Sequence, residues 1–308
     1  MRRSHAGPML SRVTSDQHSV TYEGRPLPRP DDEVVDQGLG FDIGTLMSRR
    51  RTLRMLGLGA ALLGLVACGD GDATSSGSTT SSKATTTSST TSSSAAAVPT
   101  EEIPEETSGP YPGDGSNGPD VLEQSGIVRA DIRSSFGDAS GTAEGVPMTL
   151  ELSIYNLADS SAPYEGVAVY VWHCTRDGEY SLYSQNITNE NYLRGVQVAD
   201  AAGKVTYTSI FPACYSGRWP HIHFEVYPDQ ASITDVTNAI ATSQVALPKD
   251  TCDEVYTQDG YEASVNNLSQ VSLATDNVFG NDSAAHQLAT VTGDATSGYT
   301  VSLSVGVK

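Results

Sequence analysis

With 308 residues and a formal net charge of −19, the chain argues against nucleic acid or anionic lipid headgroups as partners, because its own field repels phosphate. The imbalance is confined to the later part: residues 1–68 hold nine Lys/Arg against seven Asp/Glu, and the remainder holds nine against thirty. Four cysteines without a CxxC spacing argue against a structural zinc site or a thioredoxin-like redox motif.

Residues 1–46 are polar and Pro-rich without hydrophobic periodicity. They are expected to be a disordered or untranslated extension, with translation starting at Met47. Residues 47–68 then read as an export signal. A basic head containing Arg49-Arg50-Arg51 precedes thirteen uncharged residues, Met55 to Ala67, too few to span a bilayer core of about 30 Å. The segment ends in Leu65-Val66-Ala67-Cys68, which resembles a bacterial lipobox, so Cys68 is the expected lipidation site. The arginine triplet suits twin-arginine export, and the expected location is extracytoplasmic, anchored to a membrane by lipid. Residues 69–119 are Ser/Thr-rich, then acidic with Pro and Gly. Such a stretch buries too little apolar surface to offset its chain entropy and is expected to be a disordered linker.

The folded domain is expected over 120–308. Met148–Tyr155 alternates apolar and polar residues with period two, and Val167–Trp172 is a denser β-branched run suited to a strand buried on both sides. Lys204–Phe211 follows a turn at Asp200–Gly203, His221–Tyr227 follows Pro220, and Tyr299–Gly306 is a terminal strand. Helices are expected at Asp250–Tyr256 and Gly260–Ser269. The spacing predicts an all-β domain, a sandwich of two sheets with short helices.

His221 and His223 lie two apart on a strand, so both imidazoles project from one face, as a pair of metal ligands would. Alone, that pattern also suits zinc or copper, or a chance pair. Around it stand Val171-Trp172-His173, Gly178 to Ser181, Leu193-Arg194-Gly195, Asp200 to Gly203, Pro212 to Tyr215, Arg218 to His223, and Thr242-Ser243-Gln244. In this order the motifs resemble the intradiol ring-cleavage dioxygenases, the family of protocatechuate 3,4-dioxygenase and catechol 1,2-dioxygenase. The resemblance implies one non-haem Fe(III) held between the sheets by Tyr180, Tyr215, His221 and His223. It implies cleavage of a catechol-type ring by O2 to a muconate-type dicarboxylate. Tyr215 is then the ligand that leaves to admit substrate, Arg218 the active-site arginine, and Gln244 a polar contact to substrate or oxygen. The distance from His221 to Gln244 implies an inserted loop around Asp229–Thr237.

Fe(III) favours anionic oxygen, so phenolates with imidazoles suit it, and two tyrosinates with a hydroxide balance its charge. Trp172 is expected in the core, His173 in a structural role, and Trp219 at the pocket or over the sandwich end. At most one disulfide can form among Cys174, Cys214 and Cys252, and the sequence leaves the pair open, as it does the oligomeric state. A competing reading is a non-catalytic surface lipoprotein whose sandwich binds ligand beside a vestigial metal site.

Overall fold

The computed structural model describes residues 98–308 and the backbone of a two-residue ladder, Thr21–Tyr22 against Arg25–Pro26. The export signal 47–68, Cys68, the rest of 1–46 and residues 69–97 lie outside the described residues.

Nine strands form two sheets: β1 (Pro147–Asn156), β2 (Ala162–Pro163), β3 (Ala168–Trp172), β4 (Arg194–Val198), β5 (Lys204–Ile210), β6 (His221–Tyr227), β7 (Ala241–Ala246), β8 (Thr290–Asp294) and β9 (Gly298–Val307). The first sheet runs β8-β9-β1-β2, with β5 also paired to β1; the second runs β4-β3-β6-β7. Pairing is antiparallel except for β9 on β1, which is parallel. Two helices, α1 (Lys249–Val255) and α2 (Glu262–Ser269), lie between β7 and β8.

The period-two reading holds along β1, where Met148, Leu150, Leu152 and Ile154 are buried and alternate with partly exposed residues. They meet Val167, Val169 and Val171 of the β3 region and Ile222, Phe224 and Val226 of β6 in one core between the sheets. Burying each such aliphatic side chain stabilises the fold by about 1.5–3 kcal/mol.

The alternate residues of β3 and β6 point the other way. Ala168, Tyr170, Trp172 and Tyr227 belong to a second apolar cluster with Val121, Leu122, Ile127 and Tyr180. The second sheet is thus covered on both faces, and every residue of β3 and β6 is buried. Its outer cover comes from residues before β1 and from the loop between β3 and β4.

That cover revises the linker boundary. Residues 98–119 pack on the domain: Ile103 is buried in the inter-sheet core, its N–H donates to Gly306, and the Glu106 N–H donates to Thr242. Composition concealed this, because the segment contributes backbone hydrogen bonds and a few anchors rather than a periodic apolar face.

Candidate metal centre

His221 and His223 stand on the outer face of β6, and both are 2% exposed. Period two places them together, and the odd-numbered register takes them away from Ile222 and Phe224. The expected position between the sheets is therefore corrected: the imidazoles face outward, beneath the cover formed by the N-terminal segment and the β3–β4 loop. His223 lies flat on Trp172, rings 4.9 Å apart at 6°, and Trp172 stacks on Tyr170 at 4.9 Å. Trp172 is thus a platform for His223 as well as a core residue.

The His221 Nδ1 lies 2.6 Å from the Trp219 carbonyl oxygen. A carbonyl only accepts, so in the neutral ring Nδ1 carries the proton and Nε2 presents a lone pair. That Nε2 is 3.1 Å from His223 Nε2 and 3.1 Å from the Tyr215 hydroxyl. The tyrosines meet edge to face, centroids 5.9 Å apart, and Tyr180 lies 6.3 Å from His223 by the same measure. The structure brings together all four sequence-predicted ligands.

Three polar atoms in and around this cluster are buried without a hydrogen bond: the Tyr180 hydroxyl, the Trp172 indole Nε1, and His223 Nδ1, whose lone pair diverges from that of the converging Nε2. An unsatisfied buried group costs about 1–3 kcal/mol, and the orphaned Tyr180 hydroxyl beside the converging donors points to a missing partner. Burial holds the Tyr180 phenol well above its usual pKa, and the nearby Tyr215 phenol adds to the shift. Tyr215 is pushed up to about 12 by burial, with Arg218 pulling the other way. Both imidazoles are held well below the usual range, first by burial. This chemistry fits a hard trivalent ion: two phenols that ionise only beside a cation, and two imidazoles kept as neutral donors. Donors each ~2.1 Å from one ion at right angles are ~3 Å apart, which matches the spacing about His221. Among the described residues no three of His, Cys, Asp and Glu converge, so an ion here needs the phenols as well as the histidines.

Arg218 connects the cluster to its surroundings. Its Nη2 donates to Gln244 Oε1 at 2.7 Å, its Nε to Asp276 Oδ2 at 3.0 Å, and its Nη1 is 3.5 Å from His221 Nε2. Gln244 pairs in register with His223, and its Nε2 donates to the Thr107 carbonyl at 2.9 Å. Both ends of that amide are thus engaged, so Gln244 reaches the site through Arg218. The segment before it, around Asp229–Thr237, forms two short 3-10 turns, Gln230–Ser232 and Val236–Asn238.

The cover is fixed by a residue to which the sequence reading gave no role. Arg194 is 1% exposed. It donates to the Pro112 carbonyl (2.7 Å), the Tyr170 hydroxyl (3.2 Å), the Ser181 hydroxyl (3.0 Å) and the Ser181 carbonyl (2.9 Å). It ties the turn after Tyr180 to the N-terminal segment and the sheet. Leu182 (φ 73°) and Leu193 (φ 58°) flank these contacts in the left-handed region, a strain of about 1–3 kcal/mol each that such anchors sustain. Tyr111 packs on Tyr180 with centroids 4.9 Å apart. Gly178 approaches Tyr215 so closely that a Cβ there would lie 3.1 Å from the tyrosine Cβ.

His173 is structural: it is bonded to the Cys174 carbonyl (2.8 Å) and the Ser209 hydroxyl (2.7 Å). Trp219 is buried in the inter-sheet core, its indole donating to the Leu247 carbonyl. Cys174, Cys214 and Cys252 are buried free thiols.

Comparison with known proteins agrees with this architecture. Residues 117–225 match a family model described as Dioxygenase. The chain is 30% identical over 130 residues to a chlorocatechol 1,2-dioxygenase of Pseudomonas sp. (strain P51), covering 36% of this chain and 49% of that protein. It is 38% identical over 56 residues to a chlorocatechol 1,2-dioxygenase of Rhodococcus opacus, covering 18% and 22%. The chain thus spans about half the length of the first relative and about a fifth of the second. An intradiol ring-cleavage dioxygenase of Tetranychus urticae shares the fold, with a TM-score of 0.50 at 21% identity over 68% of this chain and 94% of that one. Residues 117–225 thus match the dioxygenase family model, and the domain around them has the fold of an intradiol ring-cleavage dioxygenase.

Proposed function

We propose that this domain holds one ferric ion through Tyr180, Tyr215, His221 and His223 and cleaves a catechol-type ring with O2, giving a muconate-type dicarboxylate. The observation that carries this reading is the convergence of both Nε2 atoms and the Tyr215 hydroxyl at 3.1 Å spacings beside the orphaned Tyr180 hydroxyl. The named activity of the chlorocatechol relatives supports the reaction class. Iron, when bound, supplies the Lewis acidity that ionises the phenols and makes a coordinated catecholate reactive toward O2.

The residues divide the remaining work by exposure. Tyr180 and both histidines are sealed, whereas Tyr215 is half-buried and stands beside exposed Ser216 and Gly217. Tyr215 is therefore the member of the set that substrate would reach first, and its phenolate oxygen would take a substrate hydroxyl proton. Arg218 is a permanent cation whose Nη1 faces His221, where it stabilises negative charge developing on the ring. Gln244 holds that guanidinium in place, and Thr107 holds Gln244.

We also propose that the domain is exported and tethered by lipid at Cys68. The basic head, short apolar core and lipobox-like ending of 47–68 support this. Outside the membrane it would meet environmental catechols rather than intermediates of a cytoplasmic pathway.

Oxygen uptake by the iron-loaded protein across a panel of catechols, with product identification, tests the activity. The reading requires a dicarboxylate carrying both oxygen atoms. An iron-loaded protein that consumes no O2 with any catechol supports the binding-module alternative instead.

A further inference from the structure

Asp276 lies between α2 and β8, outside the span matched by the family model, and is 2% exposed. Both carboxylate oxygens are committed. Oδ2 accepts from Arg218 Nε at 3.0 Å and from the Trp219 backbone N–H at 2.7 Å. Oδ1 accepts from the backbone N–H groups of Val278 (2.8 Å) and Phe279 (3.0 Å). Four donors fill the roughly four lone-pair sites that a carboxylate offers.

The two contacts of Oδ2 lead to the metal centre by separate routes. The first fixes the Arg218 guanidinium at Nε, while Gln244 fixes it at Nη2. Two anchors on one plane leave Nη1 turned toward His221. The second route fixes the peptide of Trp219, the residue whose carbonyl accepts the His221 Nδ1 proton. That bond keeps the Nε2 lone pair aimed at the cluster. The Asp276 charge also balances the Arg218 cation, which is mostly buried and otherwise touches only neutral partners.

We propose that Asp276 is a positioning residue that orients Arg218 and, through the Trp219 peptide, the His221 imidazole. This rests on the metal-centre reading for its catalytic consequence, but its structural content can be read in metal-free protein. A purely structural carboxylate would brace the 272–282 segment without affecting the imidazole or the arginine.

The chosen variant is Asp276→Asn, whose amide NH2 must face N–H donors on one side. In metal-free protein, nitrogen NMR of His221 is expected to show the Nδ1-protonated tautomer in the parent and a mixed population in the variant. The Arg218 Nε–H, slow to exchange in the parent, is expected to exchange freely. In iron-loaded protein the visible absorption maximum shifts and kcat falls about 10- to 100-fold, the usual effect of removing a group that supports a ligand. Introduced into an Arg218→Met background, the same change is expected to lower kcat less than it does in the parent, because only the route through the Trp219 peptide remains. Asp276→Glu, which keeps the charge, should retain more activity than Asp276→Asn and serves as the test if Asn prevents folding. The proposal is overturned if either variant lowers the melting temperature while leaving the His221 tautomer, the Arg218 exchange and the absorption maximum unchanged. Equal losses of kcat in both backgrounds, with the Arg218 exchange unchanged by Asp276→Asn, would also overturn it. If the parent takes up no iron, the metal-centre reading fails, while the NMR result still decides whether Asp276 sets the two side chains.

Discussion

The Gly109 backbone lies against the His223 ring: a Cβ at Gly109, where φ is +73°, would stand 3.1 Å from His223 Cε1. The segment before the first long strand therefore forms a wall of the centre. Gly109→Val would combine left-handed strain of about 1–3 kcal/mol with displacement of the ring. Thermal unfolding should show the loss of stability, and metal analysis should show reduced iron retention. Unchanged retention in a destabilised variant would remove the N-terminal segment from the site.

Tyr180 yields a prediction of opposite signs. Its hydroxyl is buried and unbonded, so Tyr180→Phe should leave metal-free stability unchanged or raise it by about 1 kcal/mol. The same change should abolish the visible absorption of the iron form. Tyr183→Phe should behave in reverse. Its hydroxyl accepts from the Gly113 N–H and donates to Asn117, so its loss destabilises by about 1–2 kcal/mol and leaves the colour unchanged. Urea denaturation and absorption spectra of both variants check the pair.

Arg194→Lys should destabilise by about 3 kcal/mol, because an ammonium cannot span Pro112, Tyr170 and both oxygens of Ser181. Equilibrium unfolding measures it. A change below about 1 kcal/mol would show that the cover holds without the clamp.

Burial lowers the His173 pKa from 6.5 to about 4. Between those values the unfolded chain binds a proton that the folded chain does not, so this term is fully present above pH 6.5. It is lost progressively as pH falls toward 4, by roughly 3 kcal/mol in all. His173→Gln should flatten the stability profile over that window relative to the parent. Parallel profiles would contradict the neutral buried ring.

The sandwich was legible where one face alone is buried, as in the alternation of β1, or where β-branched residues crowd, as in β3. The strands Arg194–Val198, Ala241–Ala246 and Thr290–Asp294 were missed. The first opens with a buried arginine, the second is small and polar in its first half, and the third is almost wholly exposed. None of them carries a clean period. The ligands could be read because period two and the motif spacing fix which side chains share a face. Which face of β6 lies beneath the cover could not be read, since both are buried. Asp276 was hidden for another reason: its partner Arg218 is 58 residues away, and an isolated aspartate in a loop carries no pattern. The Asp-x-Val-Phe run, with a carboxylate two and three residues before bonded N–H groups, is its only local signal.

The central claim is that two phenols and two imidazoles share one trivalent ion. Ferric iron titrated into metal-free protein, followed by visible absorption, tests it most directly. The account predicts a tyrosinate charge-transfer band that saturates at one iron per chain, is lost in Tyr180→Phe, and is shifted or weakened in Tyr215→Phe. A colourless protein that takes up zinc stoichiometrically, or a band indifferent to both tyrosines, would contradict it.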